Sequence, residues 1–415
     1  MTEPRIELLP LHTGLNRDHA TLLTVLARIH APQLPRAAQV RPPLNLALVI
    51  DRSGSMSGQP LQMARAAARA AVQQLSPRDR LSIVTFDDTV QLVVPSQHVT
   101  DPEALQQAID RIECGGSTAL YAGWLEGATQ VATHLQPGAL NRVILLTDGQ
   151  ANVGPQRSHD IAPQVEGLAQ RGVSTSAIGL GAHYDEDLLL AVANAGDGNF
   201  EHVERPEALP AFFEQELLGL SRTVGRVVSL GLEPNPEHDV RVTEVLNDLK
   251  RAATGRLQLP NLLDGQTTDV VLRLKVPAQP GRSGTLGVLR VRLAWSDAQG
   301  RHTRRAQLNL PLLDSDAYGQ LPEDAEVQAA VTVLETARLK REGVDALDRG
   351  DRVYAARAFS AAVDLVSAAP ASAATRPELA ELQALQGDLA AGRDAELRKR
   401  AVSQSYDRSR SKPRR

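Results

Sequence analysis

Cysteine is almost absent from this sequence, in which Cys114 is the only one. A lone cysteine excludes an intrachain disulfide framework and fits a reducing compartment. Aromatic residues make up only 3% of the chain, which leaves few side chains for stacking nucleic-acid bases. The formal net charge of -4 gives no global field that would draw the chain onto nucleic acid or an anionic membrane. We therefore expect neither nucleic acid nor a membrane as a partner.

Long apolar runs and common catalytic motifs are missing as well. No apolar stretch approaches the roughly 18 residues of a transmembrane helix. The first residues lack the basic start and apolar core of a signal peptide, so a cytoplasmic location is expected. The sequence has no Gly-x-x-x-x-Gly-Lys phosphate loop, and Met56 stands where a nucleophile elbow requires serine. These absences favour a protein that is not an enzyme.

Changes of pattern along the 415 residues predict several domains. Apolar strands alternate with helices from residue 44 onwards, which is typical of an α/β fold with a doubly wound, mostly parallel sheet. Alternating strands then predict an antiparallel β-sandwich, which the strand 21–29 is expected to join, and the C-terminal part lacks strand signals. The expected divisions are 1–43 (N-terminal strands pairing with the β-sandwich), 44–221 (α/β domain), 222–315 (β-sandwich), 322–395 (helical bundle) and 396–415 (basic flexible tail).

The stretch from Leu44 to Ser55 holds the first candidate site. An apolar run, typical of a strand buried on both faces, ends in Asp51, and Ser53 and Ser55 follow. Because residues two apart point the same way in an extended loop, one carboxylate and two hydroxyls can face a single point. Such hard oxygens beyond the carboxyl end of a strand suit Mg²⁺ better than zinc. The alternative at this stage is that the aspartate only caps a turn.

Three separated motifs resemble those of von Willebrand factor type A domains. The segment 51–56 is similar to the Asp-x-Ser-x-Ser motif of that family, 115–121 to its threonine loop, and 145–149 to its second aspartate loop. The resemblance covers 44–221 and implies a metal-ion-dependent adhesion site that holds Mg²⁺ or Mn²⁺. The residues around the ion, bound directly or through water, would be Asp51, Ser53, Ser55, Thr118 and Asp148.

The resemblance also implies a function. In the family, an Asp or Glu carboxylate of a partner protein completes the coordination of the metal. We therefore expect a non-catalytic interaction module, an adaptor in a bacterial multiprotein complex such as an ATPase-associated complex. Two alternatives stay open: a metal-dependent hydrolase or phosphatase, and a scaffold whose metal is purely structural. Asp87 and Asp88, near the end of a strand, are interpreted as a solvated hairpin turn outside the site.

Overall fold

The computed structural model describes residues 3–33, 42–135, 138–252, 254–297 and 299–410. The chain forms two compact units. The α/β unit is Val40–Arg222, and the sandwich unit combines Met1–Gln39 with Thr223–Arg415. No helix within the described stretches is long and apolar enough to cross a membrane.

Strands and helices alternate in the α/β unit, whereas the sandwich unit has its strands first and its helices last. The strands are β1 (Arg5–Pro10), β2 (Leu15–Asn16), β3 (Thr21–His30), β4 (Leu44–Asp51), β5 (Arg80–Phe86), β6 (Val90–His98), β7 (Leu140–Thr147), β8 (Val173–Leu180), β9 (Asp197–Val203), β10 (Thr223–Pro234), β11 (Arg241–Val245), β12 (Leu257–Gln258), β13 (Leu262–Leu263), β14 (Thr267–Val276), β15 (Thr285–Asp297) and β16 (Gly300–Leu313). The helices are α1 (Gln59–Gln74), α2 (Pro102–Asp110), α3 (Leu120–Ala132), α4 (Ser158–Gln170), α5 (Glu186–Ala195), α6 (Leu209–Ser221), α7 (Ser315–Gly319), α8 (Ala325–Asp348), α9 (Arg352–Ala368), α10 (Thr375–Ala390) and α11 (Asp394–Ser409). The predicted fold class is confirmed.

The sheet of the α/β unit has the strand order β6-β5-β4-β7-β8-β9, and among these strands only β6 runs antiparallel to its neighbour. Every residue of β4 and β7 is buried, as expected for central strands of a sheet flanked by helices. Strand β4 pairs with β5 on one side and with β7 on the other, so the chain winds outward in both directions. The switch point therefore lies between β4 and β7, where open α/β sheets place their ligand sites.

Helix α3 packs close to the sheet because two glycines face it. A methyl group on Gly123 would lie 2.5 Å from the side chain of Phe86 in β5, and one on Gly127 would lie 2.3 Å from Val49 in β4. Positions four apart share one face of a helix, so both glycines belong to the same contact. The helix begins two residues after Thr118. Its close packing therefore fixes the end of the loop that carries Thr118.

Gly123→Ala is expected to destabilise the α/β unit by about 1–3 kcal/mol, because the added methyl group overpacks the contact with Phe86. Gly167→Ala in α4 is the matched control, since no described atom lies within 4 Å of a methyl group there. Alanine's higher helix propensity should make the control neutral or stabilising, by up to about 1 kcal/mol. Thermal melts of both variants test the prediction, and equal melting temperatures would contradict the packing argument.

The strands of the sandwich unit form two packed sheets. The first sheet has the order β1-β3-β14-β11 and is antiparallel throughout. The second sheet has the order β12-β10-β15-β16-β2, with β13 also pairing with β10. The segment 21–29, predicted to join the sandwich, lies in β3, which pairs with β14 along its whole length. Alternate residues, such as Val25 of β3 and Val291 of β15, form the core between the two sheets.

Strand β3 also contributes to a second apolar contact. Leu26 of β3 and Val271 of β14 point away from the sandwich core and pack with Val327 and Leu334 of α8. The C-terminal helices, predicted as a bundle of their own, therefore share an apolar contact with the first sheet. A further core around Phe359 joins α8, α9, α10 and α11.

The prediction of a flexible basic tail at 396–415 was wrong for the part that the structure describes. Helix α11 packs against α8 and α10 and buries Leu397, Ala401 and Tyr406. Its arginines pair with acids of the neighbouring helices: Arg398 with Asp348, Arg400 with Asp388, and Arg408 with Glu378 and Glu381. Counting charges within the segment could not reveal these partners, because they lie on other helices. Residues 411–415 of the predicted tail lie outside the described residues.

Candidate metal centre

Asp51, the last residue of β4, is fully buried at the carboxyl edge of the sheet. Its Oδ1 accepts a hydrogen bond of 2.8 Å from the backbone N–H of Ser53, and its Oδ2 accepts one from the hydroxyl of Thr147. Burial raises the pKa of Asp51 to about 6, although these hydrogen bonds oppose the shift. Within the described residues, no cationic side chain forms an ion pair with this carboxylate. A bound cation would therefore stabilise its ionised form.

Three hydroxyls and a second carboxylate converge on the same edge. Ser55 donates a hydrogen bond of 2.7 Å to Oδ1 of Asp148, and the hydroxyl oxygens of Ser53 and Ser55 lie 3.2 Å apart. A methyl group built on Gly149 would lie 3.4 Å from Oγ of Ser55 and 3.5 Å from Oγ1 of Thr118. The structure thus brings the five residues of the predicted site to one place, and glycine at 149 keeps the space beside them open.

The donor chemistry fits a hard divalent cation. The set holds two carboxylates and three hydroxyls, and in the described part of the chain no group of three His, Cys, Asp or Glu residues is arranged to hold a metal ion. Oxygen donors without thiolate or imidazole suit Mg²⁺ and Mn²⁺ better than Zn²⁺. Burial also raises the pKa of Asp148, so both carboxylates would gain from a neighbouring cation. Because Ser55 is exposed whereas Ser53 is buried, the site opens to solvent on one side.

Two residues that support the site were not predicted. Thr147 donates its hydroxyl proton to Asp51 and so links the end of β7 to the end of β4. Asn152 accepts a hydrogen bond of 2.7 Å from the N–H of Thr118, and its own N–H donates to the carbonyl of Thr118 at 3.1 Å. This pair of bonds ties the loop after β7 to the threonine loop. These bonds could not be predicted from the sequence, because Asn152 and Thr118 meet only in the folded chain.

Asp87 lies in the β5–β6 hairpin, as predicted, but the prediction that it is solvated was wrong. It is 3% exposed, and its Oδ2 lies 2.9 Å from Nη2 of Arg52. Its backbone carbonyl accepts a hydrogen bond of 2.6 Å from the N–H of Ala119, and Gly116 donates to its carboxylate at 3.4 Å. Although burial opposes the shift, hydrogen bonds from Thr89 and the charge of Arg52 hold the pKa of Asp87 below its ordinary value. Asp87 therefore joins the Asp51 loop to the threonine loop.

Asp87 could have been found from the strand order. It follows β5 directly, and β5 is a parallel neighbour of β4. Parallel neighbours end at the same edge of a sheet, so Asp87 had to lie near Asp51. Two backbone bonds complete the junction: Gly115 N–H to the carbonyl of Arg52 (2.8 Å), and Gly54 N–H to the carbonyl of Gly116 (3.0 Å).

The α/β unit matches a known family by sequence. A family model described as von Willebrand factor type A domain matches residues 45–215. The uncharacterized protein sll0103 of Synechocystis sp. is 27% identical over 328 residues, which are 76% of this chain and 77% of that protein. The uncharacterized protein YfbK of Escherichia coli is 31% identical over 204 residues, which are 48% of this chain but only 35% of that protein.

A solved structure extends the likeness to the whole fold. The von Willebrand factor type A protein from Catenulispora acidiphila superposes with a TM-score of 0.74 at 17% sequence identity, covering 100% of this chain and 97% of that chain. Type A domains are commonly protein-interaction modules, and they commonly bind a divalent metal at a metal-ion-dependent adhesion site. The family suggested by the three sequence motifs is confirmed, and this chain carries a von Willebrand factor type A domain over residues 45–215.

Proposed function

We propose that this chain is a non-catalytic interaction module whose type A domain binds a carboxylate of a partner protein through Mg²⁺ or Mn²⁺. The observation that carries the proposal is the burial of Asp51 beside three hydroxyls and Asp148, without a cationic side chain of the described chain on the Asp51 carboxylate. An isolated buried carboxylate is costly, and a metal ion is a common way to compensate it. We also propose that the chain acts through this site as an adaptor in a multiprotein complex.

The five residues would hold the ion directly or through water. They are Asp51, Ser53, Ser55, Thr118 and Asp148. Mg²⁺ takes about six oxygen ligands, and several of them are usually exchangeable water molecules. When bound, the ion would supply a Lewis acid to which an incoming Asp or Glu side chain can coordinate. Exposed Ser55 marks the side from which that carboxylate would arrive.

The side chains around the site favour binding over hydrolysis. Within the described residues no histidine forms a hydrogen bond with Ser53 or Ser55. The charge of the exposed His183 lowers the pKa of Asp148, although burial raises that pKa overall, and His183 forms no hydrogen bond with either hydroxyl. An activated serine needs a base within hydrogen-bond reach. This argues against a serine nucleophile at the site, and we propose a binding role for the ion.

Capture of partner proteins by the immobilised full chain tests the proposal. The same proteins should be recovered with Mg²⁺ and lost both in EDTA and with the variant Asp148→Ala. The matched control is Asp160→Ala, an exposed aspartate of α4 in the same unit, and it should retain them. Equal recovery with Mg²⁺ and with EDTA would contradict a metal-bridged interaction.

Asp87→Asn is expected to weaken metal binding although Asp87 is not a proposed ligand. The substitution removes the charge that pairs with Arg52 and loosens the junction between the Asp51 loop and the threonine loop. Loss of such supporting contacts typically lowers metal affinity about 10–100-fold. Calorimetric titration with Mn²⁺ measures the change. Asp88→Asn is the control, because the exposed Asp88 forms no hydrogen bond or ion pair within the described residues. An equal loss of Mn²⁺ affinity in both variants would argue against the role of Asp87.

A further inference from the structure

The outer face of the second sheet of the sandwich carries a group of arginines, here called the arginine face. Along β15, Val291 and Leu293 point into the core between the sheets. Because side chains alternate along a strand, Arg290 and Arg292 point outward. In the described part of the chain, no acidic side chain lies within ion-pair distance of any of the members of this group. They are Arg256, Arg290, Arg292, Arg301 and Arg305.

Hydrogen bonds to the hydroxyl of Ser229 and to backbone carbonyls hold two of these side chains in place. Arg256 donates from Nε to the hydroxyl of Ser229 (3.0 Å), and from Nη2 to the carbonyls of Ser229 (3.1 Å) and Arg292 (2.8 Å). Arg301 donates to the same Ser229 hydroxyl at 3.3 Å. Arg292 and Arg305 lie directly opposite each other in the register of β15 and β16. The guanidinium groups are therefore neighbours on one surface, and two of them are fixed in position before any partner arrives.

The arrangement concentrates positive charge in a chain that is acidic overall. Glu233 lies opposite Arg290 in the register of β10 and β15, and Glu237 lines the same surface pocket as Arg290. Five arginines against these two glutamates give the face a net charge of +3, whereas the whole chain carries -4. Burial and the charges of Arg292 and Arg301 lower the pKa of Arg256. Like charges placed opposite each other destabilise a sheet, so an anion on this face would relieve a cost that the fold itself leaves uncompensated.

The surroundings of the arginines fit an extended, flat ligand. The outward positions between them are small or neutral: Gly231, Ala294, Thr303 and Gln307. Outward side chains of one strand recur about every 6.6–6.8 Å, which is also the spacing of alternate side chains in an extended peptide. Guanidinium groups bind carboxylates through paired hydrogen bonds. The face presents no aromatic side chain among these positions, so it lacks the stacking platform with which proteins hold single-stranded nucleic acid.

We propose that the arginine face is a docking surface for an acidic, extended segment of a partner protein. It is independent of the metal site, because it lies on the sandwich unit and needs no divalent ion. A partner that met both surfaces would present one acidic segment to the arginines and a separate carboxylate to the metal.

Binding of a fluorescent oligoglutamate peptide to the full chain, measured by anisotropy in EDTA, tests the proposal. EDTA removes any contribution of the metal site, so a negative result here would leave the proposed metal function untouched. The double variant Arg292→Glu/Arg305→Glu should weaken binding by about tenfold or more, since each reversal replaces an attraction by a repulsion. Arg241→Glu, an exposed arginine on β11 of the other sheet, is the matched control and should bind like the unmodified chain.

The outcomes separate the alternatives. Added salt should weaken the peptide complex, and the neutral variant Arg292→Gln/Arg305→Gln should give an intermediate loss even if the charge reversals disturb folding. Absence of peptide binding, or an equal loss with Arg241→Glu, would overturn the proposal. Tighter binding of an oligothymidine of equal charge than of the peptide would also overturn it, by identifying a nucleic acid as the ligand class.

Discussion

Asp51→Asn is expected to raise the melting temperature of the metal-free chain at pH 7 and to abolish its response to Mg²⁺. The carboxylate of Asp51 is fully buried without a cationic partner among the described residues, so its charge costs stability until a metal binds. Asparagine keeps both hydrogen bonds: its carbonyl can accept from Ser53 N–H, and its amide can donate to the hydroxyl of Thr147. The substitution thus removes the cost and the metal site together.

The size of the effect follows from the pKa of Asp51. Burial raises this pKa from 3.8 to about 6, and a raised pKa of a carboxyl group means that ionisation destabilises the fold. The penalty is absent below pH 3.8, grows as the pH rises towards 6, and is complete above it. A shift of this size corresponds to about 3 kcal/mol at pH 7. The metal-free chain should therefore gain up to that amount from the substitution.

Asp79→Asn provides the matched control for this prediction. Asp79 is equally buried beside the start of β5, and its carboxylate accepts hydrogen bonds from Leu44 N–H (2.8 Å) and from Ser76 N–H (2.6 Å) and hydroxyl (2.8 Å). Asparagine cannot accept all of them, so this variant should melt lower than the unmodified chain and still gain stability from Mg²⁺. Thermal melts of both variants with Mg²⁺ and with EDTA make the comparison. A lower melting temperature for metal-free Asp51→Asn would contradict the account.

Glu378→Ala is expected to destabilise the C-terminal helices by about 3–5 kcal/mol, because it leaves buried cations short of their counter-charge. The carboxylate of Glu378 is 1% exposed and lies 2.9 Å from Nζ of the fully buried Lys340 in α8. It also pairs with Arg408 of α11. Although burial opposes the shift, these two cations hold the pKa of Glu378 below its ordinary value. The stabilisation is therefore present above pH 4.5 and lost as the pH falls below it.

Glu381→Ala is the matched control on the same helix. Glu381 contacts the same two cations, at 3.0 Å each, but its side chain is 24% exposed, so water can replace it. We expect a loss of about 1 kcal/mol there. Hydrogen exchange of the amides in α10 and α11 measures local stability without assuming that the whole chain unfolds in one step. If the amides of these helices were equally protected in both variants, the burial of Glu378 would not determine how much this residue stabilises the helices.

The part of the site that sequence alone could predict is the part encoded by contiguous motifs. The apolar run of β4 ends at Asp51, the run of β7 ends just before Asp148, and both runs mark strands buried on two faces. Central parallel strands must end at one edge, so these two aspartates had to meet. The threonine loop was placed by its similarity to the family motif, and the structure brings Thr118 to the same edge.

The residues that sequence alone could not predict depend on contacts between distant segments. Asp87 is buried only because Arg52, Gly116 and Ala119 all converge on it. Helix α11 looks like a solvated basic tail until α8 and α10 supply the acids that face it. In both cases a charged side chain was assigned to solvent, because its partner lies elsewhere in the sequence and only the fold brings the two together.

Titration of Mn²⁺ into the full chain, followed by the electron paramagnetic resonance signal of the free ion, measures whether the carboxyl edge of the sheet holds a divalent ion. We expect the chain to bind one Mn²⁺ ion that Mg²⁺ displaces, and we expect Asp148→Ala to lose this binding while Asp160→Ala retains it. Binding of equal stoichiometry and affinity in the unmodified chain and in Asp148→Ala would contradict the claim that this edge of the sheet holds the metal.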